Sequence, residues 1–101
     1  EVVLAYEPRW AIGGSEAATP EYVAARHRAL REIIRHRCGK DVADRTRIIY
    51  GGAVNADNGA ALIALPDVDG LFVGRAAWTP EGYARIVKLV HAAALRKAAQ
   101  A

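Results

Sequence analysis

Leu4-Ala5-Tyr6-Glu7-Pro8-Arg9-Trp10-Ala11-Ile12-Gly13-Gly14 carries an apolar run straight into a carboxylate, a proline and a pair of glycines. Val2 to Tyr6 has the short apolar character of a buried strand, and Pro8 stiffens the first step of the loop that follows. Glu7 thus stands at a strand end beneath a segment able to close, which is where a general base is useful.

Working outward, the order strand, glycine loop, helix occurs three times. Thr19-Pro20-Glu21 supplies an N-cap hydroxyl, a proline at the first helical position and an acid in the first turn. Val23, His27, Leu30, Ile34 and Cys38 then form a stripe at helical spacing that would lie against a sheet, and Gly39 marks the stop. Asp41 to Asp44 adds a helical turn before Arg47-Ile48-Ile49-Tyr50, a second strand ended by Gly51-Gly52. Asn55 or Asp57 caps a short helix carrying Ala60, Ala61, Leu62 and Leu65, and Pro66 stops it. Leu71-Phe72-Val73 reads as the third strand, closed by Gly74. Thr79-Pro80-Glu81 repeats the start signal, and Tyr83, Ile86, Val87, Val90 and Ala94 line one face of a last helix that frays into an alanine-rich tail.

This alternation predicts an α/β fold of parallel βαβ units. In such sheets the chemistry collects at the carboxyl ends of the strands, where Glu7, Gly51-Gly52 and Gly74-Arg75 all fall.

With 52% hydrophobic and 25% charged residues, the chain is neither disordered nor a membrane protein, and one domain is the ceiling. Its single cysteine, Cys38, can make no internal disulfide and reads as a reduced thiol beside apolar neighbours in a cytoplasmic protein. Neither a basic signal-peptide start nor an apolar run of membrane-spanning length is present. The net charge of +3 and the arginines at 26, 28, 31, 35 and 37 raise the question of nucleic acid. These arginines fall between the apolar positions of a helix, without interleaved aromatics, and read as a solvated face.

Three segments together, Ala5 to Gly13, Ile48-Ile49-Tyr50-Gly51-Gly52-Ala53-Val54-Asn55 and Asp67-Val68-Asp69-Gly70-Leu71-Phe72-Val73-Gly74, resemble in order and spacing the triosephosphate isomerase family. The resemblance implies a (β/α)8 TIM barrel, a fold of roughly 250 residues. Residues 1–101 would be its C-terminal three βα units, a partial TIM-barrel domain with the N-terminal part outside this chain.

What the resemblance implies for function is an intramolecular aldose-ketose isomerase of carbohydrate metabolism, active in glycolysis and gluconeogenesis. It would interconvert dihydroxyacetone phosphate and glyceraldehyde 3-phosphate, with Glu7 as the catalytic base working through an enediolate. By the same resemblance, N–H groups of Gly13, Ala53, Gly74 and Arg75 grip the phosphate, aided by a short helix beginning near Ala76. Pro8, Trp10 and Ile12 belong to the lid, Ile12 and Phe72 clamp over the base, and the Tyr50 hydroxyl latches the closed lid. No metal and no organic cofactor is implied. The partners implied are a small sugar phosphate and a second copy of the parent protein in a homodimer, with no nucleic acid and no membrane.

Four positions depart from the family wording: Arg9 replaces valine, Gly14-Ser15-Glu16 replaces Thr-Gly-Lys, Ala53 replaces serine and Arg75 replaces glycine. Arg75 can contact the phosphate or pair with Glu16. The run Gly70 to Trp78 resembles the branch assigned to erythrulose phosphates, which makes a tetrulose-phosphate isomerase the alternative. The family's lysine and proton-shuttling histidine come from earlier strands, and His27, His36 and His91 lie on helices that do not replace them. The 101-residue chain alone is therefore expected to be nearly inactive and loosely folded, and a non-catalytic barrel fragment or assembly module is the competing class.

Overall fold

The computed structural model describes residues 2–12 and 17–100. Three parallel strands, β1 (Val3–Tyr6), β2 (Arg47–Tyr50) and β3 (Gly70–Leu71), lie in the order β1-β2-β3. Val3 pairs with Arg47 and Tyr6 with Tyr50, while Tyr50 also pairs with Leu71, so the carboxyl ends of all three strands share one edge. The third strand is shorter than the apolar run suggests; beyond Leu71 the ladder continues through one bond, from Phe72 N–H to Tyr50 C=O at 2.8 Å.

Helix α1 (Pro20–Cys38) begins as its sequence dictates, with Pro20 in the first turn and Thr19 Oγ1 accepting from Tyr22 N–H at 3.2 Å. It ends at Gly39, whose φ of 95° falls where a side chain would be strained. Helix α2 (Lys40–Arg45) follows at once and leads into β2. Helix α3 (Gly59–Ile63) connects β2 to β3, and α4 (Pro80–Gln100) closes the chain. Thr79 Oγ1 accepts from Gly82 N–H at 3.0 Å at the head of α4.

The helices cover one face of the sheet. Tyr50, Val23, Leu62, Ile63, Val68 and Ala93 make the core, with Tyr6, Leu71 and Val90 packed against it. Burial therefore alternates along β2, with Ile48 and Tyr50 inward, and Val3 and Ala5 of β1 project exposed from the opposite face.

Four readings of the sequence are corrected here. Arg31 does not join the solvated face: it is 7% exposed, in line with buried Val23 and His27 at helical spacing. All five of its N–H donors are used, by Asp67 Oδ1 at 2.8 Å, Asp69 Oδ2, and the carbonyls of Ala43, Thr46 and Asp67. Burial opposes the Arg31 charge, but Asp69 and Asp67 outweigh it and hold the guanidinium protonated. Cys38, at the last position of α1, is exposed and not packed on the sheet. On α4 the inward residues are Ile86, Val90 and Ala93, whereas Tyr83 and Val87 face solvent. The alanine-rich end of α4 stays helical to Gln100 because Lys97 reaches back, donating to the carbonyls of Ile63, Leu65 and Val68 at 2.7–2.9 Å.

Candidate active site

A cleft of about 470 Å³ opens at the carboxyl ends of the strands. Three loops build it: the segment after β1 supplies Glu7, Ala11 and Ile12, the one after β2 supplies residues 51–55, and the one after β3 supplies Phe72 and residues 74–76, with Trp78 at its side. Of the residues singled out in the sequence, Glu7, Ile12, Ala53, Phe72, Gly74 and Arg75 line this one cavity. Gly13 lies outside the described residues, as does Glu16, the other candidate partner for Arg75.

Glu7 is exposed and lies over Gly51, whose N–H donates to Tyr6 C=O at 2.8 Å. A Cβ at Gly51 would stand 2.8 Å from Glu7 Cγ and 3.2 Å from its Oε1, so only glycine lets the carboxylate settle against the neighbouring strand end. Gly52 is constrained from the other side: a Cβ there would collide with the Tyr50 hydroxyl. The glycine pair is thus held between the Glu7 side chain and the Tyr50 ring.

Pro8 and Trp10 do not line the cleft. Pro8 is buried at the entrance to the 3₁₀ turn Arg9–Ala11, where Ala11 N–H donates to its carbonyl at 2.9 Å. Trp10 meets the Tyr22 ring edge-on, with centroids 5.4 Å apart, which anchors that turn on α1. Tyr50 lies beneath the cleft, 1% exposed, and its hydroxyl has no hydrogen-bond partner among the described residues. Burial, and then repulsion from Tyr22, push its phenol up, so it stays a neutral donor. Tyr6 beside it is pushed up to about 12 by burial and by its hydrogen bond to the Tyr22 hydroxyl.

Backbone donors complete the geometry. Among the described residues, the N–H groups of Gly52, Ala53, Gly74 and Arg75 meet no protein acceptor. Gly74 begins a 3₁₀ turn, Arg75–Ala77, which stands where the family resemblance implies a short helix beginning near Ala76. Ile12 and Phe72, 47% and 54% exposed, add apolar wall to the cleft. A carboxylate, a set of free N–H groups and an apolar rim can together hold an anionic ligand and move a proton on it.

The sequence reading missed Asn55 and Trp78 as cleft residues. Asn55, a helix cap by its sequence position, does accept N–H groups, from Asp57 at 2.8 Å and Asn58 at 3.1 Å, but in a turn that precedes α3. The Asp57 carboxylate accepts no hydrogen bond among the described residues. For Trp78, its place three residues beyond Arg75 was the available signal. Among the described residues no three His, Cys, Asp or Glu side chains group as a metal site requires, and no helix is long and apolar enough to cross a membrane.

The profile of the triosephosphate isomerase family matches residues 1–90. A triosephosphate isomerase of Solibacter usitatus is 49% identical over 87 residues, which are 86% of this chain and 35% of that protein. A probable triosephosphate isomerase 2 of Listeria monocytogenes is 49% identical over 89 residues, 88% of this chain and 34% of the relative. An L-erythrulose-1-phosphate isomerase of Rhizobium etli is 46% identical over 93 residues, 91% and 33% respectively. The chain spans about a third of the length of the curated relatives it matches.

Proposed function

The chain belongs to the triosephosphate isomerase family, and from that premise we propose that its cleft is part of the active site of a cofactor-free isomerase of small sugar phosphates. The observation that carries this reading is the placement of Glu7 in one cavity with Ala53, Gly74 and Arg75, whose N–H groups have no acceptor among the described residues. The N–H groups and the Arg75 guanidinium hold the phosphate, and Glu7 takes a proton from the carbon next to the carbonyl. Electrons of that C–H bond move into an enediolate, the same carboxyl returns the proton to the former carbonyl carbon, and the hydroxyl proton passes from the first carbon's oxygen to the second's, so that carbonyl and hydroxyl exchange places. Ile12 and Phe72 keep water from the carboxylate while the substrate is bound, which strengthens it as a base. Gly13 joins the phosphate grip, Pro8 and Trp10 set the hinge of the lid, and Tyr50 is the donor on which the lid settles.

In this reading residues 1–101 are the last three βα units of an eight-stranded barrel in a cytoplasmic homodimer. The groups that neutralise the enediolate come from outside these residues. The exposed face of β1, with Val3 and Ala5 uncovered, supports it, because a closed barrel would bury that face. Dihydroxyacetone phosphate and glyceraldehyde 3-phosphate are the proposed substrates. A four-carbon erythrulose phosphate is the second reading, favoured by Arg75 in the cleft wall and by the likeness to the Rhizobium etli relative.

Assaying the complete gene product on the triose and the erythrulose phosphates, beside its Glu7→Asp variant, tests both. Shortening the base by one methylene should cost ~10²-fold or more in kcat, with KM little changed. A Glu7→Asp enzyme as fast as the wild type would remove Glu7 from the chemistry.

A further inference from the structure

The loop after β2 carries one group that this mechanism does not use, the side-chain amide of Asn55. It is exposed and lines the cleft. Its Oδ1 accepts from two backbone N–H groups, those of Asp57 and Asn58, at 2.8 and 3.1 Å. Both partners can only donate, so the carbonyl oxygen must face them and the NH₂ must face away; the amide has one chemically sensible orientation. Asn58 then ties the loop a second time. Its Oδ1 accepts from Asn55 N–H at 2.8 Å, and its Nδ2 donates to Ala53 C=O at 2.8 Å.

These four bonds fix residues 53–58 before any ligand arrives. They leave Asn55 Nδ2 as two N–H donors with no acceptor among the described residues. An asparagine that served only the turn could be an aspartate, since both make the same acceptor bonds. What asparagine adds is the donor. The cleft's other polar side-chain groups are the Glu7 carboxylate, the Arg75 guanidinium and the Trp78 indole N–H, none of them on this loop, and the Ala53 methyl contributes no hydrogen bond, so Asn55 is the one side-chain donor held on this wall among the described residues. A preorganised donor loses little entropy on binding an oxyanion, and a hydrogen bond to a charged oxygen is among the stronger ones.

We propose that Asn55 Nδ2 donates to a phosphate oxygen of the substrate, a binding contact on the same loop as Ala53, which Asn58 holds in place; this rests on the isomerase reading above. The contact is made equally in the ground and transition states, so it acts on binding and not on the proton transfer.

The test is inorganic phosphate binding, by titration calorimetry and by competitive inhibition, to the complete gene product and to its Asn55→Asp and Asn55→Ser variants. Asn55→Asp keeps both turn bonds, exchanges the donor for an acceptor and adds one negative charge, which the salt series and Asn55→Ser separate from the loss of the donor. The expected result is phosphate binding weakened about tenfold or more, the scale of one hydrogen bond to a charged group. KM should rise in the same proportion, with kcat and the thermal midpoint unchanged. Most of the loss should persist in 0.5 M NaCl, where a longer-range repulsion by the new carboxylate is screened. Asn55→Ser, which adds no charge, should weaken phosphate binding severalfold; if Asn55→Asp fails to fold, this variant decides. Unchanged phosphate affinity in the variants, or a loss that vanishes with salt and is absent in Asn55→Ser, would overturn the proposal and leave the isomerase reading standing. A wild-type protein that neither binds phosphate nor isomerises a sugar phosphate would overturn both.

Discussion

At the amino ends of β2 and β3, the Arg31 guanidinium is buried with all five donors engaged, two of them by carboxylates. At the carboxyl ends of the same strands, among the described residues, Glu7 and Arg75 make no ion pair and a row of backbone N–H groups has no acceptor. Unmet hydrogen-bonding capacity is costly only where water is excluded, so it can be left in an open cleft and must be avoided under a helix. The sheet thus separates two duties by its direction: one edge is saturated and gives rigidity, the other is left incomplete and can receive a ligand.

The sharpest way to break this comparison is at the saturated end. Arg31→Ala would leave Asp67 and Asp69 charged beside an apolar core, together with the freed carbonyls of Ala43 and Thr46. The expected loss is about 3 kcal/mol in urea unfolding, the lower part of the range for halving a buried ion pair. Arg31→Lys should recover part of it, because three donors cannot meet five acceptor positions. In the molecules that remain folded, kcat/KM should change little. A fall in kcat/KM matching that of a Glu7 variant would mean that the two ends are not separable.

Gly51→Ala makes the opposite cut. The new methyl would press on Glu7 Cγ at 2.8 Å and move the carboxylate, while the open cleft lets the chain relax. If Glu7 is the base proposed above, a displacement of about 1 Å at its carboxylate should cost 10- to 100-fold in kcat with a small change in stability. If stability falls instead and kcat holds, Gly51 belongs to the scaffold and the proposed role of Glu7 weakens.

The two ends also differed in how far the sequence disclosed them. The cleft was legible because its parts are local: Glu7 ends an apolar run, Gly51-Gly52 ends another, and each strand end names its own loop. The Arg31 network was not, since its acids lie 36 and 38 residues away. Arg31 follows Leu30, the obvious member of the stripe, and only the buried trio Val23, His27 and Arg31 shows which side of that stripe faces inward. Lys97 escaped for the same reason: it looks like a charged residue in a fraying tail until three carbonyls from the α3–β3 connection come within reach. Asn55 was half legible. The sequence marks Asn55 as a helix cap; its oxygen does receive backbone N–H groups, but in the turn ahead of α3, and which of its two amide atoms that turn consumes depends on the backbone. Sequence discloses what a residue does with near neighbours, and long-range polar satisfaction is invisible until the helices dock.

His27 offers the smallest effect and the finest probe of the saturated end. It is fully buried, with Nδ1 donating to Asp67 C=O at 3.1 Å, which requires the Nδ1–H tautomer and leaves Nε2 without a partner among the described residues. The rings of Tyr6 and Tyr50 flank it, and the charges nearest it are Arg31, Asp67 and Asp69. Burial lowers its pKa from 6.5, and the Asp67 carbonyl and the two carboxylates offset this only in part. The folded protein therefore binds this proton more weakly than the unfolded chain does. Stability is full above about pH 6.5 and declines as pH falls through that value toward the folded pKa, at no more than ~1.4 kcal/mol per pH unit. Compared with His27→Gln, which cannot titrate, the wild type should lose about 1 kcal/mol of relative stability between pH 7.5 and 5.5. Exposed His36 and His91 are common to both proteins and cancel. A difference that does not vary with pH would mean that His27 takes up its proton equally well in both states, and that the amino-end cluster tolerates a second cation beside Arg31.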